Sequence, residues 1–185
     1  ARDAMENICS ALAYLHAPAD GKPRTLHRDV KPSNILIGAD GEGYLADVGL
    51  AKGAKDEAGP APSHMTTGAV KGTLGFLDPI FTSSGKQSEV TDAFGIGITL
   101  LMCLTGLPGD NLLQKCRTLI KSPDRPSKWK PPAVPDATAG EWPEETAVGL
   151  AELAVGLAYE RDPEDRMTLA EAIERLEALC AAHPP

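Results

Sequence analysis

A mainly helical fold with one or two small β-hairpins is predicted for the 185-residue chain, on three observations. Met5, Ile8, Leu12 and Leu15 recur at spacings of three and four, which puts them on one face of an α-helix. The stretch from Phe94 to Leu107 is apolar almost throughout, the pattern of a helix buried on all sides in a core. Two short apolar runs, Ile35-Leu36-Ile37 and Tyr44-Leu45-Ala46, are joined by the glycine-rich segment 38–43, a hairpin signal.

In chain order, the first helix is expected over about residues 2–16. Pro18, Gly21 and Pro23 end it in a loop. The hairpin follows at 35–46. Residues 52–72 are rich in Gly, Ala, Pro, Lys and Thr, which predicts a long mobile loop, and loops of that length in compact domains are usually functional. The core helix comes next, then a second irregular connection over 121–143 with six prolines. Pro143 suits the first turn of a helix running to about Tyr159. Thr168-Leu169-Ala170-Glu171 has the form of a capping box for a last helix ending near Cys180.

Composition narrows the function classes. The length suits one domain able to bury a core. A net charge of −8 argues against a nucleic-acid binder, which usually carries a basic face. Cys9, Cys103, Cys116 and Cys180 are scattered with no C-x-x-C pair, so reduced thiols in a cytosolic setting are expected. The run Phe94–Leu107 is short of the roughly 18–20 residues that cross a bilayer, so no membrane span is expected. His16, His64 and His183 have no partner pattern and are expected at surface or cap positions; nothing suggests zinc.

The chemistry concentrates at 27–34, His-Arg-Asp-Val-Lys-Pro-Ser-Asn, with Asp47-Val48-Gly49 opening thirteen positions after Asn34. Such polar clusters also make ordinary turns. Yet a carboxylate to orient a hydroxyl, a cation to offset migrating charge and two oxygen ligands for a hard metal are what phosphoryl transfer needs. The order and spacing resemble the catalytic loop H-R-D-x-x-x-x-N and, less closely, the D-F-G of eukaryotic-type protein kinases. The resemblance covers nearly the whole chain. Gly72-Thr73-Leu74-Gly75-Phe76-Leu77-Asp78-Pro79 further resembles the end of the activation segment in plant receptor-like and Pelle-type serine/threonine kinases.

The resemblance implies the helical C-terminal lobe of a kinase over 1–185, with a catalytic loop at 27–34 and an activation segment at 47–80. It makes Asp29 the catalytic base and Lys31 the cation that reaches the γ-phosphate of ATP. Asn34 and Asp47 would be Mg²⁺ ligands. Leu36 would floor the adenine site, or serve as a plain core leucine. His27 would pack on the D-F-G aromatic, Arg28 would face an activation-loop phosphate, and Thr73 would contact Asp29 and Lys31. Thr66 and Thr67 stand where such kinases are phosphorylated, with a spacing to Gly72 one residue long; a solvated loop is the other reading. Asp92 matches an aspartate that anchors the catalytic loop from the core helix, and equally suits a helix N-terminus.

Three departures accompany these matches. Val48 replaces the D-F-G phenylalanine. Ile80 stands where the glutamate of A-P-E belongs, and Arg166 looks like that glutamate's partner, left to pair with Asp162, Asp165 or backbone near Pro79. Before His27 there is no G-x-G-x-x-G and no V-A-x-K lysine, so the N-terminal β-lobe is expected to be absent from this chain. Two functions follow. One is a serine/threonine kinase fragment that, with its N-terminal lobe as partner, phosphorylates protein substrates in the cytoplasm or in the intracellular part of a membrane receptor. The other is a pseudokinase-like scaffold.

Overall fold

In the computed structural model, described for residues 2–19, 21–53, 65–66, 72–73, 75–113, 116, 136, 138, 143–158 and 165–182, a buried helix organises the rest. This is α3 (Glu89–Thr105), in which Ala93 to Leu101 are all buried together with Leu104. The Ser88 N–H donates to Thr91 Oγ1 at 2.9 Å at its start, and Gly106 closes it at φ 63, a left-handed turn that glycine takes without strain. Before it lie α1 (Arg2–His16) and the short α2 (Pro79–Ser84); after it come α4 (Glu144–Ala158) and α5 (Leu169–Ala182).

α4 packs along α3, and α1 lies against α5. Small residues set the α3–α4 approach: a Cβ on Gly97 would fall 2.8 Å from both Ala154 O and Ala158 Cβ. Met5, Ile8, Cys9 and Leu12 turn one face of α1 into the same core, with Leu176 of α5 and Leu153 of α4. α5 begins at the expected capping box: Thr168 N–H donates to Glu171 Oε2 at 2.8 Å, and Glu171 N–H donates to Thr168 Oγ1 at 3.2 Å. Among the described residues no helix is long and apolar enough to cross a membrane.

Among the described residues three two-stranded antiparallel ladders decorate the helices. β2 (Ile35–Ile37) and β3 (Gly43–Leu45) form the expected hairpin, with Leu36 opposite Tyr44. β3 starts one residue earlier than the apolar run, because Gly43 lies against α1; a Cβ there would sit 2.4 Å from Ala4 O. β1 (Thr25–Leu26) pairs with β4 (Lys52–Gly53), and β5 (Met65–Thr66) with β6 (Lys86–Gln87). The stretch expected as an unbroken loop over 52–72 therefore carries strands at both 52–53 and 65–66. Residues 54–64, 67–71 and most of 117–142 lie outside the described residues, and Thr67, His64 and His183 with them.

Candidate active site

The site is built outward from Asp92, in the first turn of α3 and 3 % exposed. Its Oδ2 accepts the His27 N–H and its Oδ1 the Arg28 N–H, each at 2.8 Å. These bonds hold Arg28 at φ 75, a left-handed conformation that a side-chain-bearing residue adopts only where its surroundings enforce it. His16 Nε2 lies 2.9 Å from the same Oδ2. The surface or cap position expected for His16 is therefore corrected: at the last turn of α1 it is buried, because the chain turns back there against α3 and a buried carboxylate needs its partners satisfied.

Beyond that bend Asp29 is the meeting point. Lys31 Nζ donates to its Oδ2 at 2.6 Å, Thr73 Oγ1 donates to its Oδ1 at 2.8 Å, and Lys31 Nζ also reaches Thr73 Oγ1 at 2.6 Å. Asn34 Nδ2 donates to Asp29 O at 2.8 Å and to Oδ2 at 3.2 Å. Pro32 opens the short 3₁₀ turn Pro32–Asn34 that carries this amide inward. Burial alone would raise the Asp29 carboxyl, but the Lys31 ammonium with the Thr73 and Asn34 bonds outweighs it and holds the group below the usual carboxylate range.

Asp47 is exposed, just past the end of β3, where the Ala46 N–H donates to Asn34 O at 2.8 Å. At φ 61 it bends the chain and accepts the Gly49 N–H on Oδ1 at 3.2 Å. Because the Asn34 amide nitrogen is committed to Asp29, its Oδ1 is turned away as an acceptor. An amide oxygen and a carboxylate are hard oxygen donors of the kind Mg²⁺ takes, an ion that binds through one or two carboxylates and completes its shell with water and phosphate. Among the described residues no group of three His, Cys, Asp or Glu side chains forms a metal cluster.

The remaining residues are placed less centrally. Leu36 is 56 % exposed beside Tyr44 and is no core leucine. Val48 is exposed as well, and His27 meets no aromatic at that position; its Nε2 lies 3.1 Å from Ala46 O. Arg28 turns its guanidinium to Gln87 Oε1 and, at 3.2 Å, to Leu50 O. Gln87 pairs across the β5–β6 ladder with Met65, which sets Arg28 near the strand that contains Thr66.

Sequence reasoning missed Asp78. Arg166 has Asp78 as a buried acceptor: its Nη1 lies 2.5 Å from Asp78 Oδ2 and its Nη2 3.2 Å from Oδ1, while Asp162, one of its expected acceptors, lies outside the described residues. The signal available was an acid directly before Pro79, the position that caps a helix.

The protein kinase domain family matches residues 1–176. The LRR receptor-like serine/threonine-protein kinase ER2 of Oryza sativa subsp. japonica is 36% identical over 183 residues, 94% of this chain and 17% of that protein. A probable LRR receptor-like serine/threonine-protein kinase of Arabidopsis thaliana is 33% identical over 178 residues, 94% of this chain and 18% of that protein. The proline-rich receptor-like protein kinase PERK15 of the same plant is 47% identical over 95 residues, 51% of this chain and 17% of that protein. The chain thus spans less than a fifth of each of these relatives. On these matches the chain belongs to the protein kinase family, among relatives that are plant receptor-like serine/threonine kinases.

Proposed function

We propose that residues 1–185 form the C-terminal, substrate-binding half of a serine/threonine kinase domain, which transfers the γ-phosphate of ATP to protein hydroxyls together with an N-terminal lobe. The observation that carries this reading is the convergence of Lys31, Thr73 and Asn34 on the Asp29 carboxylate. A carboxylate fixed at both oxygens and kept ionised suits orienting a substrate hydroxyl and receiving its proton. Lys31, at the same carboxylate, offsets charge on the migrating phosphoryl group. Asn34 and Asp47 would hold Mg²⁺, which when bound neutralises phosphate charge. Leu36, with its exposed face, would lie under the adenine ring. Arg28, beside the β5–β6 ladder, would read a phosphate on Thr66 or Thr67, to which a guanidinium fork is matched.

The domain would sit on the cytoplasmic side of a receptor-like protein, as the names of its relatives suggest. A second reading, a scaffold that binds without transferring phosphate, is favoured by one observation: Leu36, Ile37, Tyr44 and Val48 are large hydrophobic side chains that each stand exposed. Asp29→Asn in the full-length protein separates the two. The kinase reading expects phosphoryl transfer to fall by at least about a hundredfold with ATP affinity little changed. Near wild-type turnover in that variant would refute it.

A further inference from the structure

We infer that Asp78 is the positioning residue that ties segment 72–78 to the helical body, replacing at position 78 the carboxylate that Ile80 lacks. Arg166 is buried in the turn before α5, and a buried guanidinium requires a partner. Asp78 supplies a two-point pairing, with side chains 3 % and 0 % exposed, the fork geometry that suits guanidinium and carboxylate. The Arg166 Cζ also lies 5.4 Å from the centroid of the Phe94 ring on α3. The pair is therefore seated on the same helix whose Asp92 holds the catalytic loop.

The second task of Asp78 is local. Its Oδ1 accepts the Ile80 N–H at 2.8 Å, capping α2. Segment 72–78 is thus fixed at one end by Asp78 and at the other by Thr73 on Asp29. Between them the Phe76 N–H closes a turn on Thr73 O at 3.1 Å. Gly72, at φ 134, lets Leu77 fold back over it; a Cβ would sit 2.5 Å from Leu77 Cδ2. Loosening Asp78 frees the segment that delivers the Thr73 hydroxyl. Ile80 is consequently a compensated substitution, and Ile80→Glu is not expected to stabilise the protein while Asp78 is in place, contrary to what the lone loss of a glutamate suggests.

The role of Asp78 in catalysis rests on the kinase reading, whereas the pairing does not, so the test has both kinds of readout. The full-length protein is compared with Asp78→Ala, Ile80→Glu, the double variant, and Asp78→Asn, which keeps a capping oxygen without the charge. Asp78→Ala is expected to lower Tm by about 6–20 °C, the range for removing one partner of a buried ion pair in a domain of this size. Amide exchange at Phe76 and Leu77 should quicken. Ile80→Glu alone gives no rise in Tm, but in the Asp78→Ala background it restores a large part of the loss. If Asp78→Ala does not fold, Asp78→Asn carries the comparison, with a smaller drop of the same sign.

Well below Tm, kcat on a peptide is expected to fall about tenfold to a hundredfold with KM for ATP nearly unchanged, as for misplaced rather than missing catalytic groups. An unchanged kcat would overturn the positioning role. Equal effects of Ile80→Glu in both backgrounds would overturn the pairing. Full activity of Asp29→Asn beside an intact Tm cycle would refute the kinase reading and leave the Asp78 anchor standing.

Discussion

Asp92→Asn is the sharpest test of how the site is held, because it changes one atom in a buried, fully engaged side chain. The carboxylate accepts from His27 and Arg28 at 2.8 Å and meets His16 at 2.9 Å. An amide in its place can present one oxygen to one of the two backbone N–H groups; its own N–H then faces the other. A buried donor left without an acceptor costs about 1–3 kcal/mol. Arg28 at φ 75 stores about 1–3 kcal/mol of backbone strain that the loosened bend can release, so part of the loss is returned. We expect Asp92→Asn to lower unfolding free energy by about 2 kcal/mol, and Asp92→Ala, which removes both acceptors, by more.

Urea unfolding measures the free energy, and amide exchange at His27 and Arg28 reports the bend directly. His16→Leu should reproduce part of the effect, since a hydrogen bond to a charged group contributes about 1.5–3 kcal/mol. His16→Gln, which offers an amide N–H at similar reach, should recover part of it. An Asp92→Asn protein within about 0.5 kcal/mol of wild type, the scatter of surface substitutions, with unchanged exchange at residues 27 and 28, would refute the reasoning.

Asp29 titrates below the usual carboxylate range, so its stabilisation is complete above about pH 4, near the unfolded value, and is lost as pH falls through the folded one. Lys31→Met should therefore move the acid-unfolding midpoint, followed by circular dichroism, to higher pH; an unmoved midpoint would show that the pairing adds nothing to the fold. Burial, reinforced by the negative charge of Glu6, pushes the Cys9 thiol up to about 12, while Cys103 is exposed. A maleimide is expected to label Cys103 in the native protein and Cys9 only on unfolding; native labelling of Cys9 would contradict its burial. With Leu36 left 56 % exposed, residues 1–185 on their own are expected to bind ATP no better than about 1 mM, near −4 kcal/mol, and to transfer phosphate poorly. Micromolar binding by calorimetry would show that this half encloses the nucleotide unaided.

How far the chain can be read without coordinates depends on how far apart the interacting residues lie. α1, the β2–β3 hairpin and the Thr168 capping box are legible because their signals sit within a few residues, in apolar period, glycine content or a fixed cap spacing. The Asp29 neighbourhood is legible for the same reason: Lys31 and Asn34 lie within five residues of it. The two-residue strands are not, since Lys52-Gly53 and Lys86-Gln87 have little strand propensity and pair only because tertiary contacts bring partners alongside.

The supports of the site are hidden further still. His16 meets Asp92 across 76 positions, and Asp78 meets Arg166 across 88. The acid before Pro79 marks a helix cap, but no local pattern marks either residue's distant partner. For Ile80, matching position by position was misleading: it registered a missing glutamate, whereas Arg166 requires a carboxylate within reach, and the chain supplies one two residues earlier. A motif records where a side chain usually comes from, while burial demands only that a partner arrive. Substitutions at buried charged positions therefore carry little meaning about activity until the neighbours within reach have been counted. By that standard Ile80 is no argument against catalysis. Val48 is a weaker argument than its place in the motif suggests, since His27 already has Ala46 O at 3.1 Å and needs no aromatic to satisfy its ring.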